Sequence, residues 1–240
     1  MCVNTLGRAW DAFDAYLCDI DGTLMNCTDA VHYFAFNDAI SAVAQRPLTI
    51  DGIVAHGNVD IGILRDAFAR AGVAEEQWRA RLPEILDHMR SFVVERQSEF
   101  CISVLPSVRE TLEHLRARGA ILGTATGNLQ AIGEAKLNRA GLLELFDFGG
   151  WSDACETRAQ VFREAAEKAG SLAQTEAAIC VIGDTPADVQ AARANNLKVI
   201  SVATGIYSYE ALAAEAPDLL VHSLTELHES TVVLPTQRIK

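Results

Sequence analysis

The chain lacks an apolar run long enough to cross a bilayer, which takes about 20 residues, so we expect no membrane-spanning helix. It also lacks an excess of positive charge, because 20 Lys and Arg face 32 Asp and Glu, a formal net charge of −12. Nucleic acid and anionic membranes attract basic proteins, so neither is expected as a partner. A small anionic substrate remains compatible, since one bound cation and a few local charges can dominate a pocket.

Paired cysteines are absent as well. The six cysteines are scattered and form no Cys-x-x-Cys motif, and Cys18 and Cys180 lie inside apolar runs, where a free thiol behaves as a small hydrophobic group. The first 14 residues do not contain a basic segment followed by an apolar one, so no signal peptide is expected. This cysteine usage indicates a reducing, cytoplasmic setting.

Half of the 240 residues are apolar, which is enough to bury a core. Apolar segments alternate with helical patterns from residue 103 onwards, and this alternation predicts an α/β fold with a Rossmann-like, three-layer core around a parallel sheet. Residues 16–20 supply its first strand. Residues 25–102 show helical patterns and no convincing strand, so we predict a helical cap domain there, inserted between core segments 1–24 and 103–240.

Two carboxylates, Asp19 and Asp21, end the first predicted strand and are followed by Gly22. In an extended chain residues i and i+2 point the same way, so both carboxylates can face one spot beyond the strand. Such a pair is costly unless a cation lies between them or a pKa is raised, which suggests a metal site. The alternative is a strand that simply runs into an Asp-Gly turn.

Polar side chains also follow the other predicted strands. Residues 126–128 (Thr-Gly-Asn) follow the second strand, Arg158 follows the loop after the third, and Asp184 and Asp188 follow the fourth. The carboxyl ends of parallel strands meet at one edge of the sheet, where ligands bind. Each residue has an ordinary alternative: Thr126 could cap the next helix, and Asp184 and Asp188 could be a helix-start carboxylate and its solvated neighbour. Coincidence at every strand end is the weaker interpretation.

These residues resemble the motifs of the haloacid dehalogenase superfamily of phosphatases. Residues 19–23 (Asp-Ile-Asp-Gly-Thr) match its first motif, Thr126 its second, and Gly183-Asp184 with Asp188 its fourth. The helical block between the first two motifs is similar to the cap of the phosphoglycolate phosphatase and β-phosphoglucomutase branch. The resemblance covers nearly the whole chain beyond the first dozen residues.

The resemblance implies covalent phosphoryl transfer with Mg²⁺ as the cofactor. Asp19 would attack phosphorus, and Asp21 would protonate the leaving oxygen and then deprotonate the attacking water. Asp19, the backbone carbonyl of Asp21 and Asp184 would hold the metal. An acid at position 21 disfavours dehalogenation, whose leaving halide needs no proton. The absence of lysine between Leu24 and Ile102 argues against phosphonate hydrolysis through a cap Schiff base.

The resemblance further implies that Thr126, Gly127, Asn128 and a third-motif cation bind the phosphoryl oxygens. That cation is the departure from the usual pattern, because Lys168 lies ten helical residues beyond Arg158, about 15 Å along the axis. We therefore expect Arg158 to take this place, and Asp188 to orient either Arg158 or metal-bound water.

The expected substrate is a small phosphorylated metabolite, and the expected oligomeric state is a monomer or homodimer. In the cap, the loop that carries His56 and Asn58 is the candidate for contacting the substrate; alternatively, Asn58 caps the following helix and His56 is solvated. The function that fits best is a Mg²⁺-dependent phosphatase similar to phosphoglycolate phosphatase. The alternatives are a sugar-phosphate mutase of the β-phosphoglucomutase kind and a non-catalytic binding or regulatory protein with the same fold.

Overall fold

The computed structural model describes residues 4–174 and 176–229. Its main sheet has six strands, all parallel, in the spatial order β5-β4-β1-β6-β7-β8. The strands are β1 (Ala15–Cys18), β4 (Ile121–Ala125), β5 (Phe148–Gly150), β6 (Ile179–Gly183), β7 (Lys198–Val202) and β8 (Leu219–Val221). Two further short strands, β2 (Met25–Cys27) and β3 (Ile102–Val104), form a separate antiparallel pair.

The first strand lies at the centre of the sheet, between β4 and β6. Its side chains alternate between the two faces: Tyr16 and Cys18 belong to one apolar cluster, and Leu17 belongs to another. From β1 the chain builds β4 and β5 on one side and then crosses to build β6, β7 and β8 on the other. This reversal opens a crevice beyond the carboxyl end of β1, where a doubly wound sheet binds its ligand.

Helices cover both faces of the sheet, so the predicted α/β fold class is confirmed. One face packs against α5 (Val108–Ala117), α6 (Gln130–Ala140) and α10 (Thr225–Glu229), and the other against α7 (Arg158–Ala173) and α8 (Pro186–Ala194). A short helix, α9 (Tyr209–Ala214), lies beside β8. Because both faces are covered, the strands can be apolar throughout, which is why they were visible in the sequence.

The helical block between β2 and β3 contains α1 (Val31–Ala44), α2 (Asp60–Arg70), α3 (Glu75–Arg79) and α4 (Leu82–Arg96). These helices enclose their own apolar cluster, which includes the stacked rings of Phe68 and Trp78. The cluster continues into the core through Leu129 and Ile132, at the start of α6. The helical block is therefore held to the core by an apolar contact with α6 as well as by its two chain connections.

One local prediction was wrong. We expected no strand in residues 25–102, but this segment contains β2, which is only three residues long and so shows no alternation. The helix α7 continues past Gly170 to Ala173, where Gln174 adopts the left-handed conformation that ends it. The predicted domain boundary at residues 24/25 falls directly before β2, and the one at 102/103 falls inside β3; the division into domains stays a prediction.

No helix within the described residues is both long and apolar enough to span a membrane. The sequence beyond Ser230, in which we found no pattern, lies outside the described residues.

Candidate active site

The two carboxylates of the first motif follow the central strand directly. Asp19 is buried, and its N–H donates to the carbonyl of Ile182 at 3.0 Å, which continues the pairing of β1 with β6. Gly22 has φ = +82°, and a Cβ atom there would lie 2.4 Å from Oδ2 of Asp184. Only glycine satisfies both demands, so this turn brings the first motif against the end of β6.

Asp184 is buried opposite Asp19. The Thr23 hydroxyl donates to Oδ1 of Asp184 at 2.8 Å, and Gly205 leaves the space that Oδ2 occupies, since a Cβ there would lie 1.7 Å away. Burial, together with the charges of Asp19 and Asp188, raises the pKa of Asp184 to about 8. Burial also raises the pKa of Asp19 to about 6, although Arg158 offsets part of the effect. These carboxyl groups are short of positive charge.

Arg158 supplies the positive charge next to Asp19 and Asp188. Thr157 caps α7 through a capping box with Gln160, which places Arg158 in the first turn, at the edge of the sheet. Its Nη2 atom lies 2.8 Å from Oδ2 of Asp19 and 2.6 Å from Oδ1 of Asp188, and its Nε donates to the same Asp188 oxygen at 2.7 Å. The Nη2 contacts are ion pairs without good hydrogen-bond geometry. The structure therefore brings Arg158 to the predicted nucleophile, whereas Lys168 donates to the carbonyl of Gly149.

Three carboxylates, from Asp19, Asp184 and Asp188, come within 4.8 Å of one another. The two carboxylate oxygens of Asp188 already have hydrogen-bond partners. Oδ1 accepts from Arg158, and Oδ2 accepts from the N–H and hydroxyl of Thr185. Asp19 and Asp184 are thus better suited as metal ligands, with Asp188 as the residue that orients Arg158. An oxygen-only donor set with two raised pKa values fits Mg²⁺.

The Thr-Gly-Asn segment ends β4 beside these acids. Thr126 is buried, and its hydroxyl accepts from the side-chain amide of Asn128 at 2.8 Å. That amide also donates to Asp21 at 2.9 Å, so the Asn128 side chain faces the first motif. A Cβ on Gly127 would lie 2.0 Å from the backbone oxygen of Asn58, so glycine is required where the helical block touches the core. The predicted phosphate-binding residues therefore meet at one edge.

Sequence reasoning missed Lys136 as a functional residue. It lies on α6, is only 3% exposed, and donates to Asp21 Oδ2 at 2.7 Å and to Asn128 at 2.9 Å. Burial disfavours ionisation of Asp21, but the charge and hydrogen bonds of Lys136 and Asn128 outweigh it and hold the pKa of Asp21 below its usual range. A cation four residues after Ile132, on the apolar stripe of a helix, was the signal that could have pointed to it.

The two cap residues predicted to contact the substrate both line the cavity next to these groups. His56 is exposed there. The side chain of Asn58 accepts from the N–H of Val59 at 2.9 Å and makes longer contacts with Val54 and Asp66. Asn58 is thus partly engaged within its own loop, but the alternative that it caps α2 is wrong, because the N-cap residue is Val59 and the described structure shows no side-chain hydrogen bond capping that helix.

The cavity measures about 580 Å³ and lies between the sheet edge and the helical block. Its floor carries the core groups, including Asp19, Thr126 and Arg158. Its walls include side chains of the helical block: His32, Tyr33, Phe36, Ile50, His56, Asn58 and Ile63. A site of this size admits a small molecule with one end among the carboxylates and the other against α1 and α2.

The fold and this set of groups define a hydrolase with an aspartate-rich site at a topological switch point. A family model for haloacid dehalogenase-like hydrolases matches residues 13–196, and the chain belongs to this family. The predicted resemblance and the predicted phosphatase-type hydrolase are thereby confirmed.

Two curated proteins similar to this chain are phosphoglycolate phosphatases. It is 29% identical to phosphoglycolate phosphatase of Cereibacter sphaeroides strain ATCC 17029 over 184 residues, 75% of this chain and 80% of that protein. It is 29% identical to phosphoglycolate phosphatase of Synechococcus elongatus over 147 residues, 60% of this chain and 68% of that protein. Among solved structures, CbbY from Rhodobacter sphaeroides in complex with phosphate superposes with a TM-score of 0.68 at 20% identity, covering 90% of this chain and 96% of that one.

Proposed function

We propose that the protein is a Mg²⁺-dependent phosphatase that hydrolyses a small phosphorylated metabolite through an aspartyl-phosphate intermediate, in the manner of a phosphoglycolate phosphatase. The observation that carries this proposal is the setting of Asp19: a buried carboxylate at the carboxyl end of the central strand, with Arg158 2.8 Å away and Asp184 opposite. The phosphoglycolate phosphatases among the relatives support the choice of phosphate monoesters.

In the first half-reaction, one oxygen of Asp19 attacks phosphorus, and the bond from phosphorus to the leaving oxygen breaks. Arg158 and the Thr126 hydroxyl, with backbone N–H groups of Gly127 and Asn128, hold the phosphoryl oxygens. Asp19, Asp184 and the backbone carbonyl of Asp21 would hold Mg²⁺, which offsets the repulsion between two anions and stabilises charge on the phosphoryl group. Asp21, which takes up a proton from solvent as the anionic phosphate binds, delivers that proton to the leaving oxygen and is left ionised.

In the second half-reaction, water attacks the aspartyl phosphate, and Asp21 accepts a proton from that water. The Asp21 carboxyl, whose pKa lies below its usual range beside Lys136, is ionised in the unliganded protein. That is the form in which it can accept a proton. Asp188 contributes by fixing the Arg158 fork, because its two oxygens bind Arg158 and the start of α8.

The helical block acts as a cap that excludes water and contacts the leaving group, with His56 and Asn58 as the residues that read it. We place the enzyme in the cytoplasm, as a monomer or homodimer with no nucleic-acid or membrane partner. Free thiols at Cys18, Cys27, Cys101, Cys155 and Cys180 suit a reducing compartment.

The test is a phosphate-release screen over many phosphorylated metabolites, run with Mg²⁺ and with a chelator, on the parent and Asp19→Asn. We expect Mg²⁺-dependent release by the parent and a loss of at least about a thousandfold in the variant, because the nucleophile is gone. Comparable activity of Asp19→Asn would refute the nucleophile assignment. Isomer formation in place of free phosphate would favour the mutase.

A further inference from the structure

Lys136 is a buried cation whose three N–H donors all have partners in the site. The ammonium donates to both oxygens of Asp21, at 2.9 and 2.7 Å, to Oδ1 of Asn128 at 2.9 Å, and it lies 3.3 Å from Nδ1 of His32. Burying an ammonium costs several kcal/mol unless it is paired. A neutral side chain would serve packing better at this position on α6, so the charge calls for an explanation in terms of its partners.

The main partner, Asp21, is a carboxylate at the edge of an open cavity. Its side chain is 40% exposed, whereas that of Asp19 is 6% exposed. An exposed carboxylate on a turn samples several rotamers unless something holds it. Here Lys136 contacts both of its oxygens, and the amide of Asn128 donates to one of them at 2.9 Å. These contacts hold the Asp21 carboxylate towards Lys136 and Asn128, whose amide also donates to Thr126.

The same network continues into the helical block. His32, on α1, faces Lys136 with one ring nitrogen, and its Nε2 lies 3.3 Å from Oδ2 of Asp60 without hydrogen-bond geometry. Asp60, on α2, accepts from the N–H of Leu129 at 2.9 Å and donates its own N–H to the carbonyl of Gly127 at 2.9 Å. The position of Lys136 is thus tied to the docked cap as well as to the core.

We propose that Lys136 is a positioning residue that holds the Asp21 carboxylate where it accepts a proton from the water attacking the aspartyl phosphate. The inference rests on the proposed function. In that step a bond forms between the water oxygen and phosphorus, the bond from phosphorus to the Asp19 oxygen breaks, and the water proton passes to Asp21. The Asp19 carboxylate is regenerated and inorganic phosphate leaves.

The test uses p-nitrophenyl phosphate with Mg²⁺, because its leaving group departs without a proton and the first half-reaction does not need Asp21. The parent, Asp21→Asn, Lys136→Met and the double variant are compared with a control, Lys198→Met, whose lysine pairs with Asp218 on the surface. We expect Lys136→Met to lower kcat by about a hundredfold, since a positioned general base contributes at least that factor to the second half-reaction. The value of kcat/KM should stay within about threefold, because it reports the first half-reaction. Acid-quenched samples of Lys136→Met should contain a larger fraction of phosphorylated enzyme than acid-quenched samples of the parent.

The double variant separates positioning from a general structural role. If Lys136 acts through Asp21, adding Lys136→Met to Asp21→Asn costs less than about threefold more in kcat. This comparison also stands if Lys136→Met alone folds poorly, because the double variant removes both charges of the pair and leaves neither unpaired. A parallel fall of kcat and kcat/KM in Lys136→Met, or a multiplicative loss in the double variant, overturns the inference. Absence of phosphate release by the parent would instead refute the proposed function.

Discussion

Replacing Asp184 by Asn should change how the stability of the metal-free protein depends on pH. The carboxyl of Asp184 is 3% exposed, and burial among acids raises its pKa from 3.8 to about 8. Because the raised pKa belongs to the folded state, ionisation of this group favours the unfolded chain. This destabilisation of the folded protein is absent below about pH 4, grows as the pH rises from about 4 to about 8, and is constant above about pH 8.

The size of the effect follows from the shift. Each factor of ten in an equilibrium constant is about 1.4 kcal/mol, so between about pH 5 and pH 8 this one group lowers the free energy of unfolding by up to about 4 kcal/mol. Asn at position 184 removes the titration but keeps an oxygen that can accept from Thr23, as Oδ1 of Asp184 does now. The variant should therefore lose roughly 2 to 4 kcal/mol less stability over that range than the parent.

Urea unfolding in the presence of a chelator, at about pH 5 and about pH 8, measures this difference. Asp87→Asn is the control, since the Asp87 side chain is 73% exposed and forms an ion pair with Arg90 on the surface of its own helix. Added Mg²⁺ should stabilise the parent at the higher pH and leave Asp184→Asn nearly unchanged, because the ion relieves the same repulsion. An equal loss of stability in parent and variant between the two pH values would refute the reasoning.

Four further outcomes follow from the structure. Arg158→Lys keeps the charge but loses the fork that spans two carboxylates, so kcat/KM for phosphate release should fall at least about tenfold, and unchanged kinetics would contradict its role. Gly127→Ala should lower the free energy of unfolding in urea by about 1–3 kcal/mol and remove most of the activity, because its Cβ would lie 2.0 Å from the backbone of the cap. Gly170→Ala should instead stabilise the protein by about 0.5–1 kcal/mol, because this residue lies inside a helix and its Cβ would enter open space. A double change of His56 and Asn58 to Ala should alter the ranking of substrates by kcat/KM, and an unchanged ranking would show that this loop does not read the leaving group.

The sheet could be predicted from the sequence because its strands are buried on both faces. Segments such as 177–183 contain no polar side chain and are followed by a polar residue, here Asp184; a continuous apolar run is typical of a strand buried on both faces. The pair formed by β2 and β3 could not be predicted in the same way, because three residues are too few to show a period. Its pairing depends on the path of the chain into and out of the helical block.

The carboxylates of the site could likewise be inferred, since parallel strands bring their carboxyl ends together whatever the helices do. The position of Arg158 could be predicted for the same reason, because this residue lies in the first turn of a helix that starts at that edge. Lys136 could not be predicted in this way, because it lies well along α6 and reaches Asp21 through the packing of that helix against α4 and β3. Its partner is 115 residues away in the sequence.

The claim that Asp19 carries the phosphoryl group is tested most directly by trapping it. The parent, mixed with Mg²⁺ and a substrate from the screen and quenched in acid during turnover, should yield a peptide containing Asp19 with the mass of one added phosphoryl group. Asp19→Asn treated in the same way should yield none. Phosphate release by the parent without any modified peptide, or with the phosphoryl group on another residue, would contradict the account.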